Sequence, residues 1–367
     1  MKPIRWINAG QVSGLRSQSI YHALAEAQTP ETPDTIVVSI PKDPYMCIGY
    51  FQDANKELDV GFCKENNLQI IRRQTGGGAV YIDSSQIFVQ WIFQEGNLPA
   101  KLDQRFLLFN KPLIETYTFF GINAYHYPVN DVHVSGKKIV GTGAATIGNA
   151  TVVTGNFIFD FNKDAMAKAL NVPDQHFRDQ MLEGLTDYMT NFKKELGSPP
   201  SMQEVVDKYL ESCETLFEAP IERGEFSQVE YEEMDRVDQK FNSEKWLYQF
   251  SSTPEKIKLV KVHSAVWIAQ CECDTPFDGY SLFIRINERK LENVKFLNKK
   301  IKNCNENFSK LESVLAGEDI ENKNLFKVIN TFFAQNMPKF DDNDSKILVG
   351  HIIDMWTERV KKGGYAG

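Results

Sequence analysis

Apolar residues along this chain follow two spacings, and the switches between them outline its elements. "SQSIYHALAEAQ" (17–28) carries apolar side chains three and four apart, which predicts a helix capped at Ser17 or Ser19. "TIVVSIP" and "PYMCIGYF" predict strands, the second ending in a glycine turn. "LDVGFCKENN" predicts a short helix stopped by two asparagines, and "LQIIRRQT" a further strand. "AVYI" and "QIFVQWIF" predict a strand pair joined by the turn "DSSQ". "LLFNKPLIETYTFFGI" reads as a helix ending at Gly121. "DVHVSGKKIVGTGAATIGNATVVTGNFIFDF" is a run of short strands punctuated by glycine, with a hairpin signature. "KDAMAKALN" and "MQEVVDKYLESCETLF" return to helical spacing.

From Gly224 to Glu244 the chain turns polar and acidic, which predicts the approach to a boundary. Beyond it, "KIKLVKVHSAVWIAQCECD" and "YSLFIRINERKLENVKFL" predict antiparallel strands, and "FSKLESVLAGED" and "LFKVINTFFAQN" helices. "DDNDSKILVGHIIDMWTERVKKGG" predicts a last helix, capped by Asp344 or Ser345 and stopped by Gly363. Lys361 and Lys362 suit its C-terminal end, and Leu348, Ile352, Trp356 and Val360 share one face, as in a helix docked on the rest of the protein. Strands and helices mix without regular βαβ alternation, so the fold class is α+β. The divisions expected are a domain over 1–240, a smaller α+β domain over 245–335 and a helical extension over 336–367.

Composition narrows the possibilities. With 42% hydrophobic and 12% aromatic residues in 367, the chain can bury a full core. A net charge of −8 argues against nucleic-acid binding and against a basic membrane-surface anchor. Any anion must therefore be held by a local cluster of cations. No signal-like segment or long apolar window is present, and Cys47, Cys63, Cys213, Cys271, Cys273 and Cys304 are scattered. A reduced cytoplasmic protein is expected. Only Cys271 and Cys273 are close, on one face of a strand, and they read as structural thiols.

Candidate chemistry begins at "IIRRQTGGGAVYID" (70–83), where three glycines interrupt strand-like sequence beside Arg72 and Arg73. Each glycine costs about 0.5–1 kcal/mol relative to alanine inside an element, so something must need bare backbone there. No G-x-x-x-x-G-K-[ST] loop is present, and the cluster at Gly141, Gly143 and Gly148 fails a G-x-G-x-x-G pattern. About sixty residues on, "NDVHVSGKKIVGTGAA" (130–145) offers Asn130 and Asp131, then Lys137 and Lys138. Arginine forks suit phosphate oxygens, glycine backbone permits close approach, and an Asn/Asp pair can hold Mg²⁺. A lysine can follow negative charge from carboxylate to phosphate. Together these suit a carboxylic acid attacking the α-phosphate of ATP to form an acyl adenylate.

These residues carry a family resemblance. "RRQTGGGAVYID" resembles the RRxSGGGAVxHD signature of lipoate–protein ligases, and "NDVHVSGKKIVGTGAA" their ND…GxKxxGSA segment. "TGNFIFDF" is similar to the strand that follows in that family, and "FNSEKWLYQF" to the hinge before its small C-terminal domain. The likeness runs to about residue 335. It implies a class II biotin/lipoate–protein ligase-like catalytic domain with a small accessory domain, using ATP and Mg²⁺ with lipoate or octanoate as substrate. It further implies that Arg73 contacts the nucleotide and that Gly78, Ala79, Val80 and Tyr81 form a backbone cradle. Thr75, Gly76, Gly77, Gly141 and Thr142 would also line the acyl-adenylate site. Lys138 would be the catalytic bridge between acyl carbonyl and α-phosphate, with Asn130 and Asp131 managing the metal. "YMCIGYF" and "IFVQWIF" would wall an apolar acyl tunnel, and the acceptor would be one lysine of a lipoyl carrier domain. Ile82 and Thr154 stand where the family usually has His, and Thr75 where it has Ser.

The alternatives are an ATP-independent octanoyl or lipoyl transferase and a non-catalytic lipoyl-domain-binding assembly factor. A cysteine-dependent transferase needs a thiol in the catalytic core, yet none lies between Cys63 and Cys213. A biotin ligase would carry a basic glycine motif that is absent here. Arg73, the triple glycine and Lys138 count against a purely binding role. Loss of Lys138 is expected to abolish activity and spare stability, and valine at Gly77 to clash with the nucleotide.

Overall fold

The computed structural model describes residues 3–250, 256–277, 279–298 and 306–361. The chain forms two compact units, Met1–Asn171 with Thr186–Ser252, and Val172–Leu185 with Thr253–Gly367.

In the first unit, β1 (Ile4–Val12), β2 (Thr35–Pro41), β3 (Tyr45–Ile48), β4 (Gln69–Arg72), β5 (Val80–Ile82) and β6 (Gln86–Gln94) come first. After them come β7 (Tyr125–Tyr127), β8 (Asp131–Val134), β9 (Lys137–Val140), β10 (Thr142–Ile147), β11 (Ala150–Ile158) and β12 (Ile221–Arg223). The main sheet has the order β10-β11-β6-β2-β1-β12. Its centre is buried on both faces, which is why β6 is apolar on both sides apart from the buried Gln90. Ile87, Val89, Trp91 and Phe93 point to one side, into a core with Phe109, Leu113 and Tyr209 from the helices Leu102–Phe119 and Met202–Phe217. Phe88 and Ile92 point to the other, with Ile20, Leu24, Met234 and Val237 from the helices Gly14–Glu26 and Gln228–Phe241.

The two smaller sheets carry the glycine-rich segments. One has the order β4-β3-β5, the other β7-β8-β9. The "SG" hairpin between β8 and β9 turns on Ser135 and Gly136, both at positive φ (49° and 79°).

Several expectations are corrected. The first helix is capped by Ser13, whose side chain accepts from the Arg16 N–H, rather than by Ser17 or Ser19. β5 and β6 are not a pair; each finds its partner in a different sheet. The acidic stretch after Gly224 precedes the division at Ser252, and it forms the helix Gln228–Phe241, closed by a capping box from Ser227 and Glu230. Glu230, Met234, Val237 and Phe241 make its buried face.

The second unit is an antiparallel sheet, β13 (Ile257–Lys261), β14 (Val266–Glu272), β15 (Tyr280–Asn287) and β16 (Lys290–Asn298), in sequential order. The helices Glu306–Leu315, Asn322–Asn336 and Asp342–Lys361 share its core. Cys271 and Cys273 are buried in that core. The expected 336–367 extension is not separate from it, because Leu348, Val349, Ile352 and Met355 are core residues and Trp356 packs against them. Asp341, not Asp344 or Ser345, caps the last helix by accepting from the Asn343 and Asp344 N–H groups. The Val360 side chain, Lys362 and Gly363 lie outside the described residues. Among the described residues no helix is long and apolar enough to cross a membrane.

Candidate functional site

The glycine loop joins β4 to β5 and lies across the end of β3. The Arg73 N–H donates to Ile48 O at 3.0 Å and the Tyr50 N–H to Thr75 O at 3.1 Å. A Cβ on Gly49 would stand 2.2 Å from Gly77 O, so Gly49 must be glycine for the loop to lie down on it. Gly77 has φ +99°, and a Cβ there would meet Arg73 Nη2 at 2.9 Å. Gly76 and Gly78 differ: neither has a left-handed φ, and a Cβ on either would meet nothing within 4 Å. The protein's own packing does not require glycine at these two positions. Their missing side chains leave open space outside the loop.

The two arginines do different work. Arg72 is fully buried and spends its guanidinium on backbone carbonyls of Gly49, Tyr50, Trp246 and Leu247. It is therefore not a cation for an anionic ligand, which corrects the reading of the pair as a phosphate fork. Arg73 reaches round its own loop, donating to Gly76 O at 2.8 Å and Gly78 O at 2.9 Å, with Cys47 O behind at 3.3 Å. It holds the loop closed and places a positive charge beneath it.

Within the expected cradle, Ala79 is half-buried and Val80 exposed, whereas Tyr81 and Ile82 are buried. The open side of the loop thus runs from Gly76 to Val80. Of the expected tunnel walls, Tyr45–Ile48 and Ile87–Phe93 are buried, while Phe51, just past β3, is 76% exposed.

The second segment forms a compact polar cluster. Lys138 on β9 pairs across from His133 on β8, and its Nζ stands 2.8 Å from Asp131 Oδ1. Asp131 is 1% exposed, Lys138 18% at its side chain. Gly141 lies beside it: a Cβ there would stand 3.6 Å from Lys138 Nζ, in ordinary contact. Asn130 Nδ2 donates to Thr142 O at 2.8 Å, and Thr142 Oγ1 donates back to Asn130 O. Gly143, next on β10, would carry a Cβ 3.6 Å from both Thr75 and Thr154 side chains. Through Thr75 and Gly143 the glycine loop and the lysine cluster adjoin.

By themselves Asn130 and Asp131 offer Mg²⁺ one carboxylate, paired with the Lys138 ammonium, and one amide oxygen, whereas Mg²⁺ prefers several hard oxygens in near-octahedral array. Asp131 Oδ1 is engaged by the lysine.

Sequence reasoning missed His22. It lies on the buried face of the first helix, with Nδ1 2.6 Å from Gln18 O and Nε2 3.1 Å from the backbone N of Gln74 at the start of the loop. Burial pushes its pKa down to about 3. Its ring packs against Tyr21 and Phe241, at centroid distances of 4.0 and 4.8 Å. Only its position one turn after Gln18 hints at this; nothing in the local sequence names Gln74 as its partner.

The catalytic-domain profile described as "Lipoyl protein ligase A/B catalytic domain" matches residues 15–214, which spans both glycine-rich segments. The chain belongs to this family of lipoate–protein ligases and octanoyltransferases. Among its relatives are an octanoyltransferase LipM of Kyrpidia tusciae, 22% identical over 68% of this chain and 100% of that protein. A lipoate–protein ligase of Streptococcus pyogenes is 26% identical over 59% of this chain and 64% of that protein. The fold matches a bi-partite lipoate protein ligase of Thermoplasma acidophilum, solved in a study with its E2 lipoyl domain (TM-score 0.63, 21% identity, 69% of this chain and 99% of that one). It also matches a lipoate-protein ligase A bound with ATP (TM-score 0.58, 20% identity, 68% of this chain and 99% of that one). The α+β fold of a lipoate–protein ligase is thereby established, and relatives of both activities occur.

Proposed function

We propose that this protein is an ATP-dependent lipoate–protein ligase. It activates lipoate or octanoate as the acyl-AMP with release of pyrophosphate, then passes the acyl group to the ε-amine of one lysine on a lipoyl carrier domain. On this reading the first unit is the catalytic domain and the second the accessory domain. The observation that carries it is Lys138, an ammonium held by one buried carboxylate beside Gly141, in a cluster that adjoins open glycine backbone. Such an ammonium can stabilise charge as it moves from the acid's carboxylate to the α-phosphate, while Gly76 and Gly78 let the anhydride lie against the main chain. Arg73 holds the loop in the shape that permits this.

The octanoyltransferase alternative needs an accessible thiolate. Cys47, Cys63, Cys213, Cys271 and Cys273 are all buried, and burial pushes their thiols up. Cys304 lies outside the described residues. The test is exchange of labelled pyrophosphate into ATP with lipoate, octanoate or neither, followed by mass spectrometry of a lipoyl carrier domain. Acid-dependent exchange and an added acyl mass support the ligase. Exchange equally fast without any acid, or acyl transfer from a carrier thioester without ATP, overturns it.

A further inference from the structure

Two backbone partners fix the state of His22 without reference to pH. The Gln74 N–H can only donate, so Nε2 facing it at 3.1 Å must offer its lone pair. Gln18 O can only accept, so Nδ1 at 2.6 Å must carry the proton. The ring is therefore neutral, in one tautomer, and buried at 0% exposure. An imidazolium would set N–H against N–H at the loop. The helix that carries His22 is itself locked to the strand behind the loop: Gln18 Nε2 donates to the Tyr45 hydroxyl at 2.7 Å, and Ser17 Oγ lies 2.8 Å from the same oxygen. Gly14 keeps the helix start clear of the Tyr45 ring, which a Cβ would approach to 2.6 Å. Helix, β3 and loop thus form one hydrogen-bonded floor, and His22 is its contact with the loop's first peptide.

We infer that His22 is a positioning residue for nucleotide binding: its neutral imidazole holds the Gln74 peptide and so sets the direction in which the following glycine backbone faces the ligand. The inference rests on the ligase reading for what the ligand is, but not for the contact itself. Arg73 draws the loop carbonyls inward. His22 fixes the peptide that follows Arg73, so the N–H groups beyond it are left to point outward. Freed from this contact, the Gln74 peptide could turn between the bonds that Arg73 and Thr75 make to Ile48 and Tyr50, and the nucleotide would lose its preformed cradle.

The experiment compares His22→Leu, which removes both hydrogen bonds, with His22→Gln, whose amide can accept from Gln74 and donate to Gln18. For each, the KM for ATP and the kcat of acid-dependent pyrophosphate exchange are measured well below the melting temperature, with exchange of the Gln74 amide hydrogen followed by NMR. His22→Leu is expected to raise the KM for ATP about tenfold per folded molecule and to speed Gln74 exchange at least tenfold. His22→Gln should restore both to within about threefold. A Leu variant with wild-type KM and a protected Gln74 amide overturns the inference, as does a Gln variant no better than Leu on both readouts. If the wild type shows no acid-dependent exchange, the ligase reading falls, and the Gln74 amide alone then decides whether His22 holds the loop.

Discussion

Removing Lys138 tests the central cluster through stability as well as rate. The ammonium stands 2.8 Å from a carboxylate that is 1% exposed. Taking away one partner of a buried pair leaves the other charged and out of water, at a cost of about 3–5 kcal/mol. The Lys138 side chain is 18% exposed, so some water reaches the site once it is gone, and the low end applies. Lys138→Ala should therefore lose about 3 kcal/mol. For a domain of about 150–250 residues each kcal/mol moves the melting temperature by about 2–4 °C, so a drop of about 6–12 °C is expected. Asp131→Asn in the same chain removes the buried carboxylate's charge and should return most of that loss, while acid-dependent pyrophosphate exchange stays down by orders of magnitude in both. The assay is a thermal melt of the wild type, both single variants and the double variant, read as a cycle. A Lys138→Ala protein melting within about 2 °C of the wild type would refute the pairing energy assigned here. The outcome also replaces the sequence expectation that loss of this lysine spares stability.

Three further outcomes are expected. Gly77→Ala should cost about 1–2 kcal/mol, because φ +99° and the 2.9 Å approach to Arg73 strain it, whereas Gly76→Ala and Gly78→Ala should melt like the wild type and raise the KM for ATP; equal melting losses at all three would remove the distinction. His22, pushed down to about 3 from an ordinary 6.5, stays neutral in the folded chain while the unfolded chain takes up a proton below pH 6.5. Its contribution is complete above that pH and withdrawn toward 3 at about 1.4 kcal/mol per pH unit, or about 2 kcal/mol by pH 5. Urea unfolding of the wild type and His22→Gln at about pH 7 and pH 5 isolates it, since Asp83 and Asp238, which burial pushes up, titrate alike in both; identical pH dependence would rule it out. Leu348→Ala, at 0% exposure in the last helix, should cost about 2–5 kcal/mol of the second unit's stability in a thermal melt, and a loss under about 0.5 kcal/mol would show the helix to be dispensable.

What could be read from the sequence was local. The β-branched apolar run in "TIVVSIP", the turn residues of the β8–β9 hairpin and the spacing of "MQEVVDKYLESCETLF" each specify an element by themselves. Pairing is decided elsewhere. "AVYI" and "QIFVQWIF" look like a hairpin because "DSSQ" is a good turn, yet β5 pairs with β3 and β6 with β2 and β11. The acidic stretch hid a helix whose buried residues do follow helical spacing, since its charge outweighed that signal. At the site, both glycine segments were visible, but the roles of neighbours were not. Arg72 and Arg73 are indistinguishable as letters; strand alternation sends one into the protein and the other around the loop. Nothing in the letters says that the Lys138 ammonium stands 2.8 Å from Asp131.

The burial of Arg72 also bears on how the chain leaves its first unit. Its guanidinium grips the carbonyls of Trp246 and Leu247, and the Trp246 indole N–H donates to Arg72 O at 2.9 Å, a reciprocal clasp between β4 and the stretch just ahead of Phe250. Phe250 in turn packs on Tyr50 and Phe51, at ring-centroid distances of 5.3 and 5.7 Å, so the last described stretch before residue 251 is held to the ends of both β3 and β4. That exit stretch and the base of the glycine loop therefore share one anchor, Arg72.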